Sequence, residues 1–135
     1  MINPENFSCD AIQLPYFGEI ANGRRLDKSK QASLISIPGY LNVSNNCFAL
    51  SMTGDSMQAN GIFHGDILII EPCSTSACNR IVIATIDSVE TVIKHFEQTN
   101  DLIILSCKDT EIKPMIFDPS RIKIMGILVA QMRSY

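Results

Sequence analysis

The sequence has no surplus of basic charge. Eleven Lys and Arg stand against fourteen Asp and Glu, leaving a net charge of -3. No overall positive field is available to attract nucleic acid, so direct binding to DNA or RNA is not expected. Histidine is scarce: only His64 and His95 are present, and His64 has no acidic partner at an obvious spacing. No run approaches the ~18 apolar residues of a membrane span. The opening Met1-Ile2-Asn3-Pro4-Glu5-Asn6 is acidic and polar where a signal peptide would be basic and then apolar. A cytoplasmic protein with no membrane contact is expected. The five cysteines (Cys9, Cys47, Cys73, Cys78, Cys107) are odd in number and form no compact framework, which suits reduced thiols. Cys73 and Cys78 have no nearby Cys or His at zinc-finger spacing, so neither a metal nor any other cofactor is expected.

What remains is the composition of one globular domain, with 135 residues, 46% hydrophobic and 19% charged. Residues 1 to 13 are polar and without a sustained period, and read as a loosely held arm. Strand-like runs follow at Leu34–Pro38, Cys47–Met52, Ile67–Ile70, Ile81–Ile86, Val89–Phe96, Leu102–Leu105, Pro114–Phe117 and Ile122–Met132, the last with Gly126 at a bend. Asp87-Ser88 reads as the turn of a hairpin. With no convincing amphipathic helix, no repeat and no linker, the expected fold is mostly β, a barrel-like or sandwich arrangement of sheets.

The chemistry concentrates in Thr53-Gly54-Asp55-Ser56-Met57. A glycine turn after a strand can aim the Ser56 hydroxyl, and a short helical turn over Met57 to Ile62 would set it beside free backbone N–H groups, the donors an oxyanion requires. A serine needs a base to take its proton. Lys94 is the better candidate than His64, because it lies within the apolar segment Val89-Glu90-Thr91-Val92-Ile93-Lys94-His95-Phe96, where lost solvation favours a neutral amine. Period-two alternation puts Lys94 on a face with Val92 and Phe96, where it either snorkels at a sheet edge or is desolvated. His64 and Asp66 read as turn residues. Asn22-Gly23 has the composition of a hairpin turn, and Arg24, Arg25, Lys28 and Lys30 form a basic patch of the kind that is usually solvated.

Taken co-linearly, Gly54-Asp55-Ser56-Met57, Gly61 to Ile70, Ile81 to Asp87, Val92-Ile93-Lys94, Glu111-Ile112-Lys113-Pro114 and Ile124 to Val129 resemble the LexA/UmuD group of self-cleaving serine peptidases, over roughly residues 14 to 132. The resemblance implies a LexA/signal-peptidase-like β domain of curled sheets with a flexible N-terminal arm. By position, Ser56 matches the nucleophile, Lys94 the general base, and the backbone N–H groups of Asp55 and Ser56 the oxyanion donors. Leu14 to Gly23 resembles the cleavage segment, which puts the scissile bond at Asn22-Gly23, where the family usually has Ala or Cys before the glycine. Residues 1–22 would then be an arm removed by self-cleavage, and 23–135 the peptidase and dimerisation domain. Twenty-two residues are too few to fold a DNA reader, so the UmuD branch is the expected one. Its implied partners are a second copy in a homodimer, a RecA filament on single-stranded DNA that stimulates cutting, and the Y-family catalytic subunit of a translesion polymerase. The alternative is the autoproteolytic and dimerisation half of a LexA-like or phage-type repressor.

Overall fold

The computed structural model describes residues 11–21, 33–73 and 79–134. Among the described residues nine strands follow one another: β1 (Ala11–Ile20), β2 (Ser33–Pro38), β3 (Phe48–Met52), β4 (Ile67–Pro72), β5 (Arg80–Ile86), β6 (Glu90–Gln98), β7 (Ile103–Ser106), β8 (Met115–Phe117) and β9 (Ile122–Met132). The only helical pieces among the described residues are three-residue 3-10 turns, so the mostly β expectation holds. The strands hydrogen-bond into one sheet in the order β2-β1-β3-β4-β9-β5-β6-β7-β8. This is neither a closed barrel nor two stacked sheets. Its ends are β2 and the three-residue β8, and short edges offer little to a pairing chain.

Local chemistry explains several joints. The β5–β6 hairpin turns at Asp87 and Ser88, both at positive φ (54° and 59°), the geometry whose twist matches flanking strands. β9 runs between β4 and β5, and its pairing slips by one residue against each of them near Gly126. A Cβ on Gly126 would lie 2.5 Å from Ile70 Cγ2 and 2.6 Å from the Glu71 carbonyl oxygen. The glycine is needed there for close backbone approach, as well as for the bend read from the sequence.

One further feature differs from expectation. β1 begins at Ala11, inside the stretch whose polarity reads as a loose arm, and is held on both sides. It pairs antiparallel with β2 and parallel with β3, with Leu14 and Ile20 fully inside the core. The parallel partner lies some thirty residues away in the chain and leaves no local signal.

The buried apolar side chains of the described residues fall into three clusters. One gathers Ile20, Phe48, Leu50, Met52, Met57, Ile62, Leu68, Ile70, Ile83 and Ile93 beneath the β3–β4 connection. A second lies on β5, β6 and β7, and a third beneath β1 and β2. Among the described residues, no helix is long and apolar enough to cross a membrane.

Candidate active site

The connection between β3 and β4, residues 53–66, carries the motif singled out in the sequence. Its backbone is fixed step by step. Met52 N–H donates to the Asp66 carbonyl (2.8 Å) and Gly65 N–H to the Met52 carbonyl (2.8 Å), extending the β3–β4 ladder. Thr53 N–H donates to the Ile20 carbonyl at the end of β1 (2.9 Å). Gly54 N–H donates to His64 Nδ1 (3.0 Å), and Gly54 stands at φ 87°, where a side chain would be strained. Among the described residues the next donor, Asp55 N–H, has no hydrogen-bond acceptor, although the Asp55 carbonyl accepts from Gln58 N–H (3.1 Å). Ser56 is half-buried, and Met57 beside it is fully buried and anchors the turn in the core.

Ser56 opens on a cleft of about 350 Å³ lined by Asp55, Ser56, Gln58, Ala59, Asp109 and Ile112. Its far wall, residues 107–112, prolongs β7 and is tied to the serine turn where Lys108 N–H donates to Asn60 Oδ1 (2.8 Å). A larger hollow of about 460 Å³ lies elsewhere, between Leu41–Ser44, Cys47, Glu71 and Val129, and contains none of the candidate residues. Burial, helped by the Glu71 carboxylate, pushes the Cys47 thiol up from its ordinary value. That keeps the buried sulfur protonated, a poor nucleophile.

Lys94 lies in the middle of β6, only 6% exposed. Val82 of β5 is directly opposite, and the next residue, His95, pairs with Ser106 of β7. The desolvated alternative therefore replaces the snorkelling one: β5 and β7 flank the strand, and no ion pair reaches Lys94 among the described residues. Strand alternation sets Lys94 with Val92 and Phe96, whereas Ile93 packs in the cluster that contains Met57. Cys107, one residue past β7, packs against that same cluster. The immediate neighbours of Ser56 and Lys94 thus meet in one core. Asn22, Gly23, Arg24, Arg25, Lys28 and Lys30 lie outside the described residues.

The sequence also concealed a clamp. Asp66, read as a turn residue, does accept from Phe63 N–H (2.9 Å), but it is fully buried and paired with Arg133. Arg133 Nε and Nη2 donate to its two carboxylate oxygens (2.7 and 2.8 Å), and the guanidinium lies 4.3 Å from the centre of the Phe63 ring. Gln131 Nε2 and Arg133 Nη2 both donate to the Gly61 carbonyl (2.9 and 3.2 Å). The end of the chain thereby holds the loop that leaves the serine turn. The Arg133 hydrogen bonds hold the Asp66 carboxyl below the usual carboxylate range, with burial opposing and the Phe63 N–H assisting. A carboxylate lowered on folding stabilises the protein above its unfolded value, near ~3.9, and loses that contribution as pH falls through the folded value. Asp66→Asn should cost about 2 to 3 kcal/mol at neutral pH, below the range for fully buried pairs because the Arg133 side chain is 33% exposed. Denaturant unfolding is expected to show that gap at neutral pH and its narrowing in acid, as pH falls below the unfolded carboxylate value and the native carboxylate is protonated in turn.

A family model described as Peptidase S24-like matches residues 15–129. The LexA repressor of Pelagibacter ubique is 30% identical over 135 residues, covering 99% of this chain and 60% of the relative. That of Zymomonas mobilis is 33% identical over 132 residues (98% and 61%), and that of Acidiphilium cryptum 35% over 126 residues (93% and 54%). The chain spans little more than half the length of these curated relatives. Their names favour the repressor-type alternative over the UmuD-type reading, and give no support to a translesion polymerase partner. With the match running from the middle of β1 through nearly all of β9, across the serine turn and the buried lysine strand alike, this chain belongs to the Peptidase S24-like family.

Proposed function

We propose that this chain is the self-cleaving domain of a LexA-like protein, in which Ser56 and Lys94 cut the bond between Asn22 and Gly23. One observation carries the reading furthest. β1, the segment that resembles the cleavage site, runs parallel to β3 with Ile20 beside Met52, and its last carbonyl accepts from Thr53, next to the Gly54 turn. β1 therefore ends on the flank of the serine turn, with Ile20 two residues before Asn22 in the sequence.

The chemistry follows from the residue types. Uncharged Lys94 takes the Ser56 proton, and Oγ attacks the Asn22 carbonyl carbon. The N–H groups of Asp55 and Ser56 receive the oxyanion. The ammonium of Lys94 gives its proton to the Gly23 nitrogen as the C–N bond breaks, leaving residues 1–22 as an ester on Ser56. Water, deprotonated by the same amine, then frees Ser56 and a new carboxylate at Asn22. Each chain cuts once. Homodimerisation, and stimulation by a RecA filament that favours the docked segment, belong to this reading by resemblance, with loss of repression on DNA damage as the output.

Intact-mass spectrometry of the purified chain after alkaline incubation tests it. The expected products are fragments 1–22 and 23–135, accumulating faster as pH rises because only the uncharged amine is a base. An intact chain, or a cut at another bond, would contradict the proposal.

A further inference from the structure

We propose that His64 is a positioning residue for the reaction at Ser56: its neutral ring holds the Gly54 N–H and thereby sets the orientation of the Asp55 N–H. The inference deepens the self-cleavage reading and rests on it. Met52, Thr53 and Gly54 each donate their N–H to a fixed acceptor, and His64 Nδ1 is the last of these before the proposed oxyanion donors. It is the one acceptor of the three supplied by a side chain. A backbone N–H can only donate, so Nδ1 must carry a lone pair, and a neutral ring keeps its proton on Nε2. A second proton turns Nδ1 into a donor facing a donor, and the restraint on Gly54 is lost.

Gly54 at φ 87° has no side chain to hold its peptide in place, so the orientation of that plane depends on what its two ends bond. The His64 ring is exposed and can exchange its proton with solvent. The charged and titratable groups on neighbouring elements are Glu19 on β1, Asp55 on the serine turn, Asp66 two residues on, Lys108 and Asp109 past β7, and Arg133 beyond β9. Asp66 and Arg133 are held to each other. His64 lacks an acidic partner for a relay, but an acceptor for an amide needs none.

Two readouts test the proposal, and one does not depend on cutting. In the uncuttable Ser56→Ala protein, the Gly54 amide resonance should shift with pH in step with the His64 ring, and the shift should vanish in Ser56→Ala/His64→Asn. A Gly54 amide indifferent to the ring's titration would overturn it. For self-cleavage measured across pH, His64→Ala should be slower by about tenfold where the ring is neutral. His64→Asn, whose Oδ1 falls near the position of Nδ1, should recover most of the rate and lose the part of the acid-side decline that follows the ring. A His64→Ala protein with the rate and pH profile of the parent would overturn the positioning role. If the parent chain never cuts itself, the self-cleavage reading fails, and the amide titration alone decides what His64 holds.

Discussion

Ser56→Ala is expected to leave the chain whole under conditions in which the parent divides into fragments 1–22 and 23–135, with any residual rate at least about 10⁴-fold lower. The size of the effect follows from covalent catalysis: without Oγ there is no ester, and the remaining donors can only assist direct attack by water. The fold should persist. Ser56 is half-buried on a turn held by the backbone bonds of Thr53, Gly54 and Gln58 and by buried Met57, none of which needs the hydroxyl. Stability is expected within about 1.5 kcal/mol of the parent by denaturant unfolding, the usual net worth of one hydroxyl hydrogen bond. Loss of cutting in a chain that still unfolds cooperatively separates a chemical role from a structural one.

The second large effect is expected at Lys94, where activity and stability should move in different directions. Lys94→Met keeps a long unbranched side chain in β6 but removes the amine, and self-cleavage should fall by about 10²- to 10⁴-fold, the usual contribution of a general base. Stability should be unchanged or raised by up to about 2 kcal/mol, because methionine suits a site flanked by Val82, Val92 and Phe96 and, among the described residues, no carboxylate is left unpaired. The pH dependence of cutting should also change. The parent accelerates as the amine loses its proton, whereas any residual reaction of Lys94→Met has no amine to respond. A Lys94→Met protein that cuts at the parental rate would show the lysine to be a core residue only.

Local signals wrote much of the scaffold into the sequence. The β5–β6 hairpin was visible because two runs of alternating residues flank Asp87-Ser88, a pair that tolerates positive φ. β9 was visible as a long, largely apolar run with Gly126 at its bend, and the serine turn through Gly54 after a strand. Tertiary facts were hidden. Whether Lys94 snorkels or is buried depends on β5 and β7, which flank it and which alternation within β6 cannot report. Asp66 sits in His64-Gly65-Asp66, a turn signal, while its burial depends on Arg133, 67 residues away and past the last strand. β1 passes for an arm because its partner strand is distant and its sequence includes Pro15 and Gly18. His64 was legible as a loop residue, but its bond to Gly54 spans ten residues of irregular chain with no periodicity to betray it.

The central claim is that a buried amine makes the Ser56 hydroxyl nucleophilic. Its most direct measurement uses a fluorophosphonate probe, which captures activated serines whether or not the cleavage segment is docked. Peptide mass mapping at alkaline pH should find the adduct on Ser56 in the parent chain and lose it in Lys94→Met. A parent chain that takes no label at Ser56, or a Lys94→Met chain labelled equally fast, would contradict the account.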